Sequence, residues 1–203
     1  MNFKKLTFSN FLMGKSDGKK IAILSMLTAF NIVSNAFFEF KTLDVQFSFT
    51  IVISILTGII CGPFSGFLVC FFADLIGFFI SSWGLVYMPW VGISTATTSL
   101  IAGMFFIDGK MKNFIFKIVG ISILSFLICT VLINSTGFYY YNKTMGFSTA
   151  ILEYVSNKFN GDINYFIYLA YRLIFKLQIV NCVFNYVISF LLVPILKRLK
   201  IIV

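Results

Sequence analysis

The chain has 203 residues, of which 59% are hydrophobic and 11% are charged, and its mean hydropathy is +0.96. A soluble domain of this length cannot bury so much apolar surface in one core, so the composition excludes an ordinary soluble globular protein and indicates a membrane protein. The net charge is +9, and its uneven distribution along the chain predicts membrane orientation rather than a nucleic-acid partner.

The first 19 residues are polar and basic, with a short apolar patch. They lack an apolar run followed by a small-residue cleavage site, so a cleaved signal peptide is not predicted. We interpret residues 1–19 as a cytoplasmic tail that could lie on the membrane surface as an amphipathic helix. Residues 20–203 are predicted to form one six-helix transmembrane domain.

Six segments approach the roughly 20 apolar residues that a membrane-spanning helix needs. They are Lys20–Phe38, Phe47–Ile60, Pro63–Ser81, Met88–Ile107, Phe114–Ser135 and Phe166–Leu196. The second is short, and the last is long enough to tilt or to begin outside the bilayer. The stretch from residue 136 to residue 165 is too polar for a seventh span and is expected to form a long outer loop. The predicted fold is an all-α bundle of six transmembrane helices.

Basic residues collect on one side of this six-helix path. Because cytoplasmic loops are enriched in Lys and Arg, both termini are predicted to be cytoplasmic, and lipid headgroups account for the positive charge. The residues on that side, 11 of the 16 basic residues, are Lys4, Lys5, Lys15, Lys19, Lys20, Lys110, Lys112, Lys117, Lys197, Arg198 and Lys200.

Several kinds of chemistry find no support in the sequence. It has no histidine, no P-loop motif and no G-x-S-x-G motif, and its cysteines occur singly without CxxC spacing. No catalytic residue, cofactor or metal site is therefore predicted. An intramembrane enzyme would need a second polar catalytic group at membrane depth. The available groups are hydroxyls and Asn31, Asn35, Asn181 and Asn185.

One carboxylate, Asp74, lies inside the apolar third segment. An ionised Asp in lipid costs a few kcal/mol or more, so its side chain should face protein or a water-filled cavity. Asp74 is therefore a candidate ligand-binding residue. The alternative is a structural pairing with a cation from another segment.

Small and hydroxyl-bearing residues mark helix contacts. Gly58, Gly62 and Gly66 recur at four-residue spacing, which predicts close packing of the second and third segments. The fourth segment carries a run of hydroxyls beginning with Ser94 and Thr95. These could line a polar cavity or bond between helices, and the sequence leaves both interpretations open.

A cationic pair, Arg172 and Lys176, lies toward the outer half of the sixth segment. Four-residue spacing puts both on one helix face, where they could bind outer headgroups or form a cationic lip for a carboxylate ligand. Trp83, Tyr87 and Trp90 are expected at the outer interface, as membrane anchors or as stacking walls for a flat ligand.

These motifs resemble those of the substrate-binding (S) components of energy-coupling factor (ECF) vitamin transporters, over nearly the whole span from the first segment to the sixth. Within that family the chain is most similar to the folate-type S component. The motifs are Ala22-x-x-Ser25-x-x-x-Ala29, Gly62-Pro63-x-x-Gly66, Ala73-Asp74-Leu75-Ile76-Gly77, Tyr87-Met88-Pro89-Trp90-x-x-x-Ser94 and Tyr171-Arg172-Leu173-Ile174-x-Lys176.

The resemblance implies a subunit of the bacterial cell membrane that binds a vitamin from outside. Transport would require a transmembrane coupling subunit, docked through Ala22, Ser25 and Ala29, and two ATP-binding subunits. For a folate-like ligand, the carboxylate would accept hydrogen bonds from the pterin, the aromatic residues would stack on the rings, and the cationic pair would hold the glutamate. The full predicted binding set is Asp74, Arg172, Lys176, Gln46, Trp83, Tyr87, Trp90, Ser94, Thr95 and Tyr168.

Two other interpretations stay open. The ligand could be a different vitamin or a modified nucleobase. Alternatively, the chain could be a structural membrane protein whose polar residues only hold helices together.

Overall fold

The structure is a computed structural model that describes residues 6–37, 39–41, 46–80, 86–158 and 163–202. Helices dominate these ranges, and a short antiparallel hairpin, β1 (Glu39–Lys41) and β2 (Gln46–Ser48), adds to the predicted all-α fold. The helices are α1 (Asn10–Met13), α2 (Asp17–Phe37), α3 (Thr50–Cys61), α4 (Pro63–Ile80), α5 (Pro89–Phe105), α6 (Phe114–Met145), α7 (Thr149–Lys158), α8 (Tyr165–Phe175) and α9 (Gln178–Arg198).

Four helices of the described ranges, α2, α4, α6 and α9, have the length and hydropathy to cross a membrane. Helices α3 and α8 are apolar but shorter. The six predicted segments therefore correspond to α2, α3, α4, α5, α6 and the α8–α9 pair, although length and composition mark only four single helices as spans.

The prediction of a long outer loop after Ser135 was wrong. Helix α6 continues to Met145, where Gly146 adopts a positive φ of 97°, and α7 follows. No proline interrupts this stretch, and its pattern is amphipathic, with Tyr139 buried and Tyr140 exposed. The polar residues that led to the prediction of a loop therefore do not prevent a helix.

The sixth predicted segment is also divided. Leu177 has a left-handed backbone, with φ of 49°, and separates α8 from α9. A left-handed conformation at a non-glycine residue is uncommon, and leucine is not a residue that marks such a break in a sequence.

Two stretches of π-helix widen the helical turns: Ser125–Ser135 within α6, and the end of α8. In α6, carbonyl groups of the π-helical stretch accept hydrogen bonds from other helices. Ser94 Oγ donates to the Cys129 carbonyl at 3.0 Å, and Tyr165 Oη donates to the Val131 carbonyl at 2.8 Å. The π-helical stretch is thus fixed by side chains from both α5 and α8.

Glycines bring α3, α4 and α5 into backbone contact. A Cβ on Gly58 would overlap the Ser99 carbonyl, one on Gly66 would lie 2.9 Å from Gly58 Cα, and one on Gly103 would lie 2.6 Å from the Pro63 nitrogen. The close packing expected from the glycine spacing is present, and it extends to α5.

The N-terminal segment packs against the bundle. The Ser9 backbone N–H donates to the Cys61 carbonyl at 2.9 Å, Leu12 is fully buried, and Gly62 has no room for a Cβ beside the Ser9 backbone. Protein therefore covers Leu12, and the placement of residues 1–19 on the membrane surface stays a prediction.

Candidate functional site

A cavity of about 410 Å³ lies among the helices of the bundle. Its lining comes from α2, the end of β2, α3, α4, the segment before α5, α5, α6, α8 and α9. The predicted binding residues that line it are Asp74, Tyr87, Ser94, Thr95 and Arg172. The carboxylate and the guanidinium that the sequence singled out therefore border one chamber.

Asp74 lies on α4 and is 9% exposed. Tyr87 Oη donates a hydrogen bond to Asp74 Oδ2 at 3.3 Å. The two groups meet opposite Gly92 on α5, where a Cβ would lie 2.8 Å from Asp74 Oδ2 and 2.8 Å from Tyr87 Oη. The missing side chain at Gly92 leaves room for this acidic pair at the cavity wall.

Arg172 lies in the π-helical end of α8. Its Nη1 donates to the Asn134 carbonyl of α6 at 3.0 Å, and its guanidinium carbon lies 4.1 Å from the centroid of the Phe138 ring. A carbonyl and a ring face hold the guanidinium plane, as is common for Arg. A guanidinium has five N–H donors, so the remaining ones can serve a ligand.

Lys176 is not among the residues that line the cavity, although Arg172 is. Lys176 ends the π-helical turn of α8, and its backbone N–H donates to the Tyr171 carbonyl, five residues earlier, at 3.2 Å. In the described part of the cavity wall the guanidinium is present without the predicted second cation.

Two aromatic residues of the predicted set lie outside the described lining. The Trp90 ring packs over Gly137 and contacts Phe138 and Tyr141, with ring centroids 5.9 Å apart in both cases. Tyr168 is buried in a cluster with Tyr139 and Tyr171, where its hydroxyl accepts a hydrogen bond from Asn142 Nδ2 at 3.0 Å. Both side chains contribute to packing between α5, α6 and α8.

Two further predicted residues cannot be located at the cavity. Trp83 lies outside the described residues, and Gln46 is described only as the first residue of β2. The two interpretations of the α5 hydroxyls do not exclude each other, because Ser94 borders the cavity and also bonds to a carbonyl of α6. Ser94 and Thr95 border the cavity, whereas Ser99 is fully buried against the glycines of α3 and α4.

Sequence reasoning missed residues that α6 and α9 bring to the cavity. They include Asn134 and Phe138, which hold Arg172, and the Ser125–Tyr186 pair, whose hydroxyl oxygens are 2.8 Å apart. A polar residue inside an apolar segment was the available signal for Asn134 and Ser125. Which face of each helix meets the cavity depends on the π-helical register, which the sequence does not show.

The predicted docking residues Ala22, Ser25 and Ala29 are all exposed on α2, and Met26 between them is 76% exposed. These three small side chains lie on the exposed surface of α2, and we call this row of residues the ridge. A partner helix could approach such a ridge closely.

Comparison with known proteins identifies the family of the chain. The model of the family "ECF transporter, substrate-specific component" matches residues 19–197. The chain belongs to this family. The S component resembles the crystal structure of FolT bound with folic acid, with a TM-score of 0.60 and 18% sequence identity, over 85% of this chain and 88% of that one. The likeness shows a shared fold. A search of curated proteins gives no match.

Proposed function

We propose that this S component captures folate, or a related anionic heterocyclic vitamin, from outside the cell. The observation that carries the proposal is that Asp74 and Arg172 line one cavity of about 410 Å³. This volume lies within the roughly 300–1,000 Å³ typical of small-molecule sites. A structure with the same fold, that of FolT, holds folic acid.

The two charged groups bind opposite ends of the ligand. Asp74 accepts hydrogen bonds from the amino-bearing edge of the heterocycle, and Arg172 binds a carboxylate at the other end. Phe78 and Tyr87 border the cavity beside Asp74, with ring centroids 5.2 Å apart. They, rather than Trp90, offer the aromatic surface for the flat rings.

The test uses ligand fragments on the purified protein. Calorimetry compares folic acid, pterin (no glutamate) and N-(4-aminobenzoyl)glutamate (no pterin). Arg172→Gln should weaken the binding of folic acid and of the glutamate fragment by about 10- to 100-fold, because this is the loss in affinity that corresponds to one hydrogen bond to a charged group. The affinity for pterin should be unchanged. Asp74→Asn should weaken folic acid and pterin and leave the glutamate fragment unchanged.

The matched control is Lys143→Gln, which removes an exposed cation whose ammonium lies 6.0 Å from the Tyr139 ring. It should leave all three affinities unchanged. The assignment is wrong if either variant, Arg172→Gln or Asp74→Asn, weakens pterin and the glutamate fragment equally. It is also wrong if either variant weakens neither fragment.

A panel of other vitamins and modified nucleobases separates the remaining alternatives. A tightly bound ligand raises thermal stability by mass action. If another compound stabilises the protein and folates do not, the proposed substrate is wrong, but the proposed role in transport stands. A protein stabilised by no compound would instead favour the structural membrane protein.

We also propose a membrane topology and partners for the chain. The chain crosses the bacterial cell membrane six times with both termini in the cytoplasm, and the ridge on α2 docks a transmembrane coupling subunit powered by two ATP-binding subunits. The basic clusters beside α2, α6 and α9 support this orientation.

Orientation can be tested with a membrane-impermeant maleimide on intact cells. Lys143→Cys should react, and Lys15→Cys should react only after permeabilisation, because both positions are exposed and the proposed topology puts them on opposite sides of the membrane. The four native cysteines are buried and should add little background. The reverse labelling pattern would invert the topology.

A further inference from the structure

The hydroxyl groups around Asp74 donate their protons to other groups of the protein. Tyr87 donates to the Asp74 carboxylate at 3.3 Å, and Thr95 Oγ1 donates to the Gly92 carbonyl at 3.0 Å. Asp74, Tyr87 and Thr95 all line the cavity. Both hydroxyl protons are therefore used within the protein.

Two further hydroxyls on the same wall of α5 behave in the same way. Ser94 Oγ donates to the Cys129 carbonyl at 3.0 Å, and Thr98 Oγ1 donates to the Ser94 carbonyl at 3.0 Å. Both residues also line the cavity.

A hydroxyl carries one proton and two acceptor lone pairs. Once its proton is bound to a carbonyl or carboxylate, it can only accept from a ligand. The wall formed by Asp74, Tyr87 and the α5 hydroxyls Ser94, Thr95 and Thr98 is consequently a surface of acceptors. We call it the acceptor wall.

We propose that the acceptor wall selects reduced heterocycles, whose ring nitrogens carry hydrogen, over their oxidised counterparts. In an oxidised pteridine the nitrogens of the pyrazine ring are acceptors, and against this wall they would face lone pairs. In the dihydro or tetrahydro form one or both become N–H donors, which the hydroxyl oxygens can accept. This inference deepens the proposed function and rests on it.

The size of the preference follows from the cost of a buried polar group left without a partner, which is equivalent to at least about a fivefold loss of affinity. The S component should therefore bind 7,8-dihydrofolic acid at least fivefold more tightly than folic acid. The two ligands share the amino edge and the glutamate and differ in the pyrazine ring, where N8 gains a hydrogen and C7 becomes CH2. The ratio of their affinities therefore reports on this ring.

Calorimetry under argon measures both ligands on the wild type and on variants. Thr95→Val keeps the side-chain shape and removes the acceptor, so it should bring the ratio toward one. Thr97→Val is the matched control, because Thr97 makes the same kind of bond to its helix, to the Ile93 carbonyl at 2.7 Å, but does not line the cavity. It should leave the ratio unchanged.

Asn35 of α2 also lines the cavity, and its amide carries donors that could serve an oxidised ring. If folic acid binds as tightly as the dihydro form, or more tightly, the proposed preference is wrong. If, in that case, Asn35→Leu weakens the binding of folic acid but not of the dihydro form, the ring nitrogens face α2 instead of the acceptor wall. A ratio that survives Thr95→Val also overturns the role of the wall. If neither ligand binds while another vitamin does, the folate proposal fails together with this inference.

Discussion

At the scale of single residues, the absence of a side chain at Gly92 matters as much as the charge at Asp74. The carboxylate and the Tyr87 hydroxyl occupy the space that a Cβ would take. Asp74 could be found from sequence because an ionisable residue in an apolar run has few structural alternatives. Gly92 could not, because a small residue in a membrane helix is equally well explained by helix packing.

Gly92→Ala should reduce ligand affinity more than it reduces stability. The added methyl would lie 2.8 Å from both oxygens, so the Asp74–Tyr87 pair would have to move. We expect at least about a tenfold loss of folate affinity, corresponding to about 1.4 kcal/mol, measured by calorimetry.

Gly18→Ala is the control, because nothing lies within 4 Å of a Cβ at this helical position. Its affinity should be unchanged and its melting temperature equal or slightly higher, since alanine favours helix. Full affinity in Gly92→Ala would show that the acidic pair does not need its present position.

At the scale of elements, Asn185 of α9 connects three parts of the fold. Its Nδ2 donates to the Ser48 carbonyl at the end of β2 at 2.8 Å, and its Oδ1 accepts from the Val52 N–H at 3.2 Å. Val52 lies in the first turn of α3, whose N-terminus has no side-chain cap of its own. A fully buried side chain from another helix therefore satisfies an N–H that the helix cannot.

Asn185→Ala should destabilise the protein by about 1–3 kcal/mol for each buried group left without a partner. Ligand affinity should fall as well, because Ser48 lines the cavity. Thermal unfolding and calorimetry measure the two effects.

Val187→Ala, on the same helix at a position 54% exposed, should change neither. If the stability of Asn185→Ala equals that of the wild type, the junction of β2, α3 and α9 is held by other contacts.

Element types followed from the sequence more readily than element ends. The helices from α2 to α5 lie where apolar length and the Gly62–Pro63 turn predicted them. The sequence did not show the break at Leu177, because leucine is not a residue expected at a left-handed position. The same limit applies to Lys176, which was expected within a continuous helix but lies where α8 ends, directly before Leu177.

At the scale of the whole molecule, composition was sufficient to predict the class. Apolar content beyond what one soluble core can bury indicated a membrane bundle, and the motifs indicated the family to which the chain belongs. The cavity itself was only partly predictable. Its wall combines residues from distant helices, such as Asn134 and Tyr186, and their meeting depends on tertiary packing.

The proposed docking to a coupling subunit concerns the whole molecule and should be separable from ligand binding. Ala29→Trp places a bulky group on the exposed ridge of α2, away from the cavity lining. We expect folate affinity to stay within about twofold, while co-purification with the co-expressed coupling and ATP-binding subunits is lost, because close helix contacts need small residues.

Phe116→Trp provides the control on α6, where a large side chain is already 79% exposed. The complex should survive this change. A complex that also forms with Ala29→Trp would move the docking surface away from the ridge.

The attachment of the N-terminal segment has a consequence for biogenesis. Ser9 bonds to Cys61, and Ser65 donates to the Thr7 carbonyl at 2.6 Å, so both partners leave the ribosome more than fifty residues after the segment does. The segment can therefore form these contacts only after α2 and α3 have been synthesised. Leu12 also packs against Val69 of α4, so its burial depends on a helix that is made still later.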